Sequence, residues 1–311
     1  MRPLGPRSNA LERGALPRRR SSRKIHQNDV ALANCVVYSL GTRQLSPNRM
    51  FWLMASNMTD PQIQGSNFKT THAHWEAVNS RRPTFGLPSS LVVSTRDLKH
   101  LLRKHIEPQM KVLEIGFAPG KFLAFAAKVL EANVSGIDYS EGGVQFAKRL
   151  FGALGIGGDL RCEDVFTTTL PLGKFDFVYS NGLIEHFEDP TELVRRHVEF
   201  LRPGGTALIL IPNYGGIYGR IQRHFDPENL EIHNLNIMNC GAMSRLSPGN
   251  MIAQATSFRT GKISPWLISF DKTWPRSTAT LAKLVLNGIG LLQPFDIGVL
   301  CPMIALKLKR K

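Results

Sequence analysis

The sequence predicts an α/β domain in which helices wind doubly around a mostly parallel sheet. Three stretches carry that expectation. Lys111 to Leu123, KVLEIGFAPGKFL, reads as a short apolar strand with Glu114 near its end, a small-residue turn and the start of a helix. Asn133 to Tyr139, NVSGIDY, reads as a second strand with Asp138 at its carboxyl end, and Asp159 to Val165, DLRCEDV, as a third ending in Glu163 and Asp164. Strand ends in such a sheet open onto one crevice, so acids at three of them point at a single place.

The turn Gly116-Phe117-Ala118-Pro119-Gly120 lets backbone come close to a ligand, and Glu114 is expected to supply a fixed negative charge beside it. A cationic, nucleotide-like cofactor fits that combination. A dinucleotide fingerprint would read Gly-x-Gly-x-x-Gly, and the following turn has no further glycine, which disfavours a nicotinamide enzyme. Asp138 stands 18 residues beyond Gly120, where an acid can accept both hydroxyls of an adenosine ribose. A carboxylate after the third strand can meet an adenine amino group.

From Leu101 to Asn213 these motifs resemble the class I S-adenosylmethionine-dependent methyltransferases, and the resemblance continues weakly to the C-terminus. It implies S-adenosyl-L-methionine as cofactor. In that family the first-strand acid and its glycine turn hold the methionine part, a role that would fall to Glu114, Gly116, Ala118 and Gly120. Asp138 matches the ribose-binding acid, and Asp164 with Val165 beside it matches the adenine contact. Phe175 to Asn181, FDFVYSN, matches the fourth strand, and Leu201 to Asn213, LRPGGTALILIPN, the fifth. Ala118 stands where the family often has glycine; its extra methyl calls for a small local adjustment and retained binding. Lys262 to Phe270 and Gly298 to Lys309 are expected as two more strands, separated by a helix from about Ser277 to Leu292. They complete a seven-stranded, Rossmann-like sheet with an antiparallel last strand.

Length and charge bound the rest. A chain of 311 residues can bury a full core. Residues 1–53 hold ten Lys/Arg against two Asp/Glu, a net +8 that leaves +7 of the total +15 for the remainder. This stretch reads as a disordered basic tail, with three readings open: a solvated or mis-assigned start ahead of Met54 or Met58, an arm for nucleic acid or another anionic surface, or a targeting presequence. No window offers 18 uninterrupted apolar residues, so no transmembrane segment is expected. Cys35, Cys162, Cys240 and Cys301 are scattered without the spacing of a zinc site or a disulfide framework, which suits a reduced, cytoplasmic setting.

Residues 54–110 read as a lid and approach segment, with an amphipathic helix from about Thr95 to His105. Trp75 is either a core anchor or part of that lid. His72 and His74 lack a third partner for a metal. The resemblance implies that residues 111–311 form a methyltransferase domain, with a substrate-recognition insertion at about 213–260.

Substrate chemistry is expected after strand four, at Ser180, Asn181, Glu185 and His186. Glu185-His186 resembles the pair in quinone-type O-methyltransferases, where an acid three residues earlier helps hold a divalent metal. Gly182 occupies that place, so no metal is expected and the enzyme should be metal-independent. His186 is either a general base or a loop-orienting residue. In the insertion, Asn213, Tyr214, His224 and His233 are the candidates, with His233 in the substrate pocket and His224 solvated. The expected catalytic set is Asn181, His186 and His233. The expected reaction is direct methyl transfer to an oxygen of a small molecule or a glycan or lipid precursor. RNA methylation, carried by net charge alone, and a non-catalytic cofactor-binding subunit are the alternatives.

Overall fold

The computed structural model describes residues 67–80 and 85–311; the basic tail of residues 1–53 and the first part of the approach segment, 54–66, lie outside them. Two helices come first, α1 (His72–Ser80) and α2 (Val93–Arg103). Strands and helices then alternate: β1 (Lys111–Ile115), α3 (Lys121–Val129), β2 (Asn133–Asp138), α4 (Glu141–Leu154), β3 (Asp159–Cys162), β4 (Phe175–Asn181), α5 (Thr191–Phe200) and β5 (Leu201–Pro212). Three short helices, α6 (Ile217–Phe225), α7 (Pro227–Glu231) and α8 (Cys240–Arg245), precede β6 (Ile252–Thr260). The long helix α9 (Arg276–Leu292) leads to β7 (Met303–Arg310).

Among the described residues seven strands form one sheet in the order β3-β2-β1-β4-β5-β7-β6. Strands β1 to β5 pair in parallel, and β7 runs antiparallel to both β5 and β6. Side chains alternate across a strand, so Leu113, Val178 and Ile209 pack into the core on one face while Val112, Phe177 and Leu208 pack into the core on the other. Burial on both faces explains why β1 reads as a continuous apolar run interrupted only by Glu114. Strand order reverses between β1 and β4, and a crevice opens there beyond the carboxyl ends.

The sixth strand is not where the sequence placed it. β6 is Ile252–Thr260, and the expected strand over 262–270 is instead a loop with 3₁₀ turns at Pro265–Leu267 and Phe270–Lys272. Two causes are visible. β6 is a largely exposed edge strand, whose polar sequence IAQATSFRT lacks an apolar alternation, while Pro265 has no N–H to give a ladder. β7 likewise begins at Met303, after a 3₁₀ turn at Gly298–Leu300.

The β1–α3 turn shows how one methyl is accommodated. Gly116 and Gly120 both have left-handed backbone, at φ 72° and 83°, which a side chain would strain. Ala118 between them faces Gly143 in the first turn of α4, where a Cβ would lie 2.5 Å from the Ala118 methyl. The space for that methyl therefore comes from Gly143.

Candidate active site

Two cavities lie at the carboxyl end of the sheet. The first, about 120 Å³, is bounded by Gly116 and Ala118 after β1, Asp138 and Tyr139 at the end of β2, Asp164 and Val165 after β3, and Asn181 and Gly182 at the end of β4. Trp75 and Asn79 of α1 close its outer side. Five residues expected to hold the cofactor thus converge: Gly116, Ala118, Asp138, Asp164 and Val165. Asp138 ties two strand ends together, one carboxylate oxygen accepting from the Ala118 N–H at 2.9 Å and the other from the Ser140 N–H at 2.8 Å. Burial pushes its carboxyl above the usual range despite those bonds.

Glu114 and Gly120 stand elsewhere. Glu114 is buried behind the turn and accepts a hydrogen bond from the Tyr179 hydroxyl at 2.8 Å, outside the cavity wall. Burial is the leading cause that pushes its carboxyl up to about 8, so near neutrality it is not the fixed negative charge expected from sequence. Gly120 supports helix packing: a Cβ there would come 2.7 Å from that of Ala147 on α4. The strand periodicity of KVLEI already places Glu114 and Val112 on one face. Nothing in the sequence says that this face meets Tyr179.

The second cavity, about 380 Å³, shares Asn181 and Gly182 with the first. Leu98, Leu101, Phe122, Leu210, Trp266 and Met303 give it apolar walls. Its polar end holds Glu185, His186, Tyr214, Asn229 and His233. Among the described residues that line it there is no lysine or arginine.

Contacts within that polar end connect three parts of the chain. Glu185 and His186 form a 3₁₀ turn after β4, and His233 comes from the insertion; their rings lie 4.7 Å apart. Trp75 packs edge-on against His186 at 4.9 Å, and Tyr214 against His233 at 5.2 Å. Asn234 joins the insertion to the turn: its N–H donates to the Glu185 carbonyl, and its side chain donates to the Phe187 and Glu188 carbonyls. Residues 67–69 lie against the other side, with the Lys69 N–H donating to the His186 carbonyl at 2.7 Å.

Electrostatics here are set by burial. It pushes Glu185 up to about 8 and lowers His186 to about 3, with His233 next door adding to the latter; His233 is lowered for the same first reason. Both rings are therefore neutral at pH 7. Each donates through Nδ1 to a carbonyl, His186 to Ile232 and His233 to Asn229.

Several expectations are corrected. Asn213 lies outside both cavities, donating through its side chain to the Cys301 carbonyl at 2.9 Å. His72 meets the Tyr139 carbonyl and Glu76, while His224 is exposed, in keeping with its expected solvation. Gly182 leaves the strand-four ligand set incomplete in sequence, but His233 stands beside Glu185 and His186 in space. Gly143, Tyr179, Asn229 and Asn234 were missed. The glycine pair 142–143 opening a helix was the available signal, since glycine there lowers helix propensity and marks a close approach.

Residues 113–209 match a family model described as a methyltransferase domain. The phosphoethanolamine N-methyltransferase of Triticum aestivum is 30% identical over 161 residues, covering 48% of this chain and 31% of that protein. The ubiquinone biosynthesis O-methyltransferase of Coxiella burnetii is 29% identical over 107 residues, 33% of this chain and 45% of that one. The chain thus spans less than half the length of either relative. Haemonchus contortus phosphoethanolamine N-methyltransferase 2 in complex with S-adenosyl-L-methionine shares the fold at a TM-score of 0.50 and 15% identity, over 76% of this chain and 56% of that one. Residues 113–209, from β1 into β5, thus form a methyltransferase domain of the class I S-adenosylmethionine-dependent type.

Proposed function

We propose that this protein transfers the methyl group of S-adenosyl-L-methionine to a hydroxyl oxygen of a small acceptor with an apolar body. One observation carries the reading: the two cavities meet at Asn181 and Gly182, and the larger has apolar walls leading to a polar end beside that junction. Gly116, Ala118, Asp138, Asp164 and Val165 hold the cofactor, with the Asp138 carboxylate on its ribose. Glu114 and Gly120 support the turn from behind. Segment 67–80 is the lid. The smaller cavity is below the few hundred Å³ usual for a ligand, so Trp75 and its helix must shift for the cofactor to enter.

A sulfonium methyl is already activated, and the protein mainly aligns the acceptor in line with sulfur and excludes water. Asn181, His186 and His233 face the reacting group. The acceptor class follows from the lining. A phosphomonoester, as in the phosphoethanolamine relatives, calls for a cationic partner. None is present among the described lining residues, whereas a lipid precursor or an aromatic alcohol matches the walls. The RNA reading rests on net charge alone, of which +8 of the +15 belongs to residues 1–53, outside the described residues. Among the described residues no helix is long and apolar enough to cross a membrane.

Labelled methyl transfer to a panel of phenols and isoprenoid alcohols, phosphoethanolamine and RNA tests this. Label should enter the organic-extractable alcohols, and His186→Ala or His233→Ala should lower that turnover by about 100-fold while leaving cofactor affinity within about threefold. Label in phosphoethanolamine or RNA alone would overturn the acceptor class.

A further inference from the structure

Glu185, His186 and His233 are more than neighbours. Each offers one ligand atom, and the three atoms lie within 4.8 Å of one another. All three residues are buried, at 1%, 6% and 9% exposure. A carbonyl oxygen can only accept, so the His186 Nδ1 facing Ile232 and the His233 Nδ1 facing Asn229 both carry the proton. In a neutral ring this leaves the lone pair on Nε2. Glu185 Oε2 is buried and has no hydrogen-bond partner, which costs free energy unless something else satisfies it. Two imidazoles held by Nδ1–H to carbonyl bonds, with a carboxylate carrying one unsatisfied oxygen beside them, supply the ligands and the supporting hydrogen bonds of a metal site.

We propose that Glu185, His186 and His233 bind one divalent transition cation at the polar end of the larger cavity. Two nitrogens and one oxygen suit Zn²⁺, Mn²⁺ or Fe²⁺, whereas Mg²⁺ and Ca²⁺ prefer oxygen throughout. At bond lengths of about 2.1 Å the ligand atoms would stand roughly 3–3.5 Å apart, so loading draws the groups together by about an ångström. All three residues line the acceptor cavity.

Binding itself rests on this geometry alone; its use in catalysis rests on the reading given above. A hydroxyl oxygen on the cation becomes more acidic. Its proton is released to solvent as the acceptor binds the cation, before the site closes; its electron pair then forms the new bond to the methyl carbon, and the carbon–sulfur pair stays on sulfur as S-adenosylhomocysteine departs. His233 thus replaces in space the ligand that Gly182 cannot provide.

Equilibrium dialysis of the full chain against Zn²⁺ or Mn²⁺, without cofactor or acceptor, should give one cation per chain and little retention of Mg²⁺. Glu185→Gln and His233→Ala should each weaken retention by 30-fold or more, with S-adenosylmethionine binding as the check that the variants fold. Independently of any variant, electron spin-echo spectra of the unaltered protein with one equivalent of Cu²⁺ should show two imidazole nitrogens. Absence of retained cation, unchanged retention in both variants, or fewer than two imidazoles would overturn the site. A bound cation in a protein that transfers no methyl to alcohols would instead leave the site standing and remove the proposed acceptor.

Discussion

Replacing Glu114 by glutamine should change how stability depends on pH, by an amount the structure sets. The carboxyl is buried and its pKa is pushed from 4.5 to about 8. Below about pH 4.5 it is protonated in the folded and the unfolded chain alike, and contributes no pH dependence. Between 4.5 and about 8 the unfolded chain releases the proton while the folded one keeps it, so stability falls as pH rises. Above that window both forms are ionised and the penalty is constant. At about 1.4 kcal/mol per unit, the accumulated loss is on the order of 3–5 kcal/mol. Glutamine has no charge to desolvate and keeps a carbonyl oxygen for the Tyr179 hydroxyl, which now donates to Glu114 at 2.8 Å. Urea unfolding of both proteins at several pH values from 4.5 to 8.5 measures this. The stability of the parent relative to Glu114→Gln should decline by several kcal/mol across the series, and other titrating groups such as Glu185 cancel in the difference. A difference that stays flat would show that Glu114 is ionised when folded, as the sequence alone suggested.

Two other substitutions test the cofactor side. Asp138→Asn removes the charge and one of the two oxygens that now accept from Ala118 and Ser140. S-adenosylmethionine affinity by calorimetry should fall about 10- to 100-fold, the scale of charge-assisted hydrogen bonds of about 1.5–3 kcal/mol, and unchanged affinity in a folded variant would remove Asp138 from the ribose. Trp75→Ala distinguishes a lid from a core anchor. Trp75 borders the cofactor cavity and touches His186, so cofactor release should speed up by about 10-fold or more with a small change in melting temperature; a large fall in melting temperature with unchanged release would favour the anchor.

How much of this protein was legible in its sequence depended on how local each cause was. The β1 turn, the acids at 138 and 164 and the positions of the first five strands along the chain follow from strand-end chemistry and short-range periodicity, whereas their order in the sheet and the switch point between β1 and β4 came from the tertiary structure. A strand buried on both faces declares itself by an unbroken apolar run, and a left-handed turn by its glycines. β6 did not, because an exposed edge strand needs no apolar face. Pairings between distant segments were decided only by the tertiary structure. Tyr179 supplies the hydrogen bond to buried Glu114 from 65 residues away, Gly143 makes room for Ala118, and Asn234 draws the insertion onto the strand-four turn. His233 and Glu185 are separated by 47 intervening residues, yet their ligand atoms share one buried pocket with His186. Hydrophobic patterning dictates which face of an element is buried, but not which polar groups burial then forces together; desolvation makes those meetings matter, and packing alone selects them.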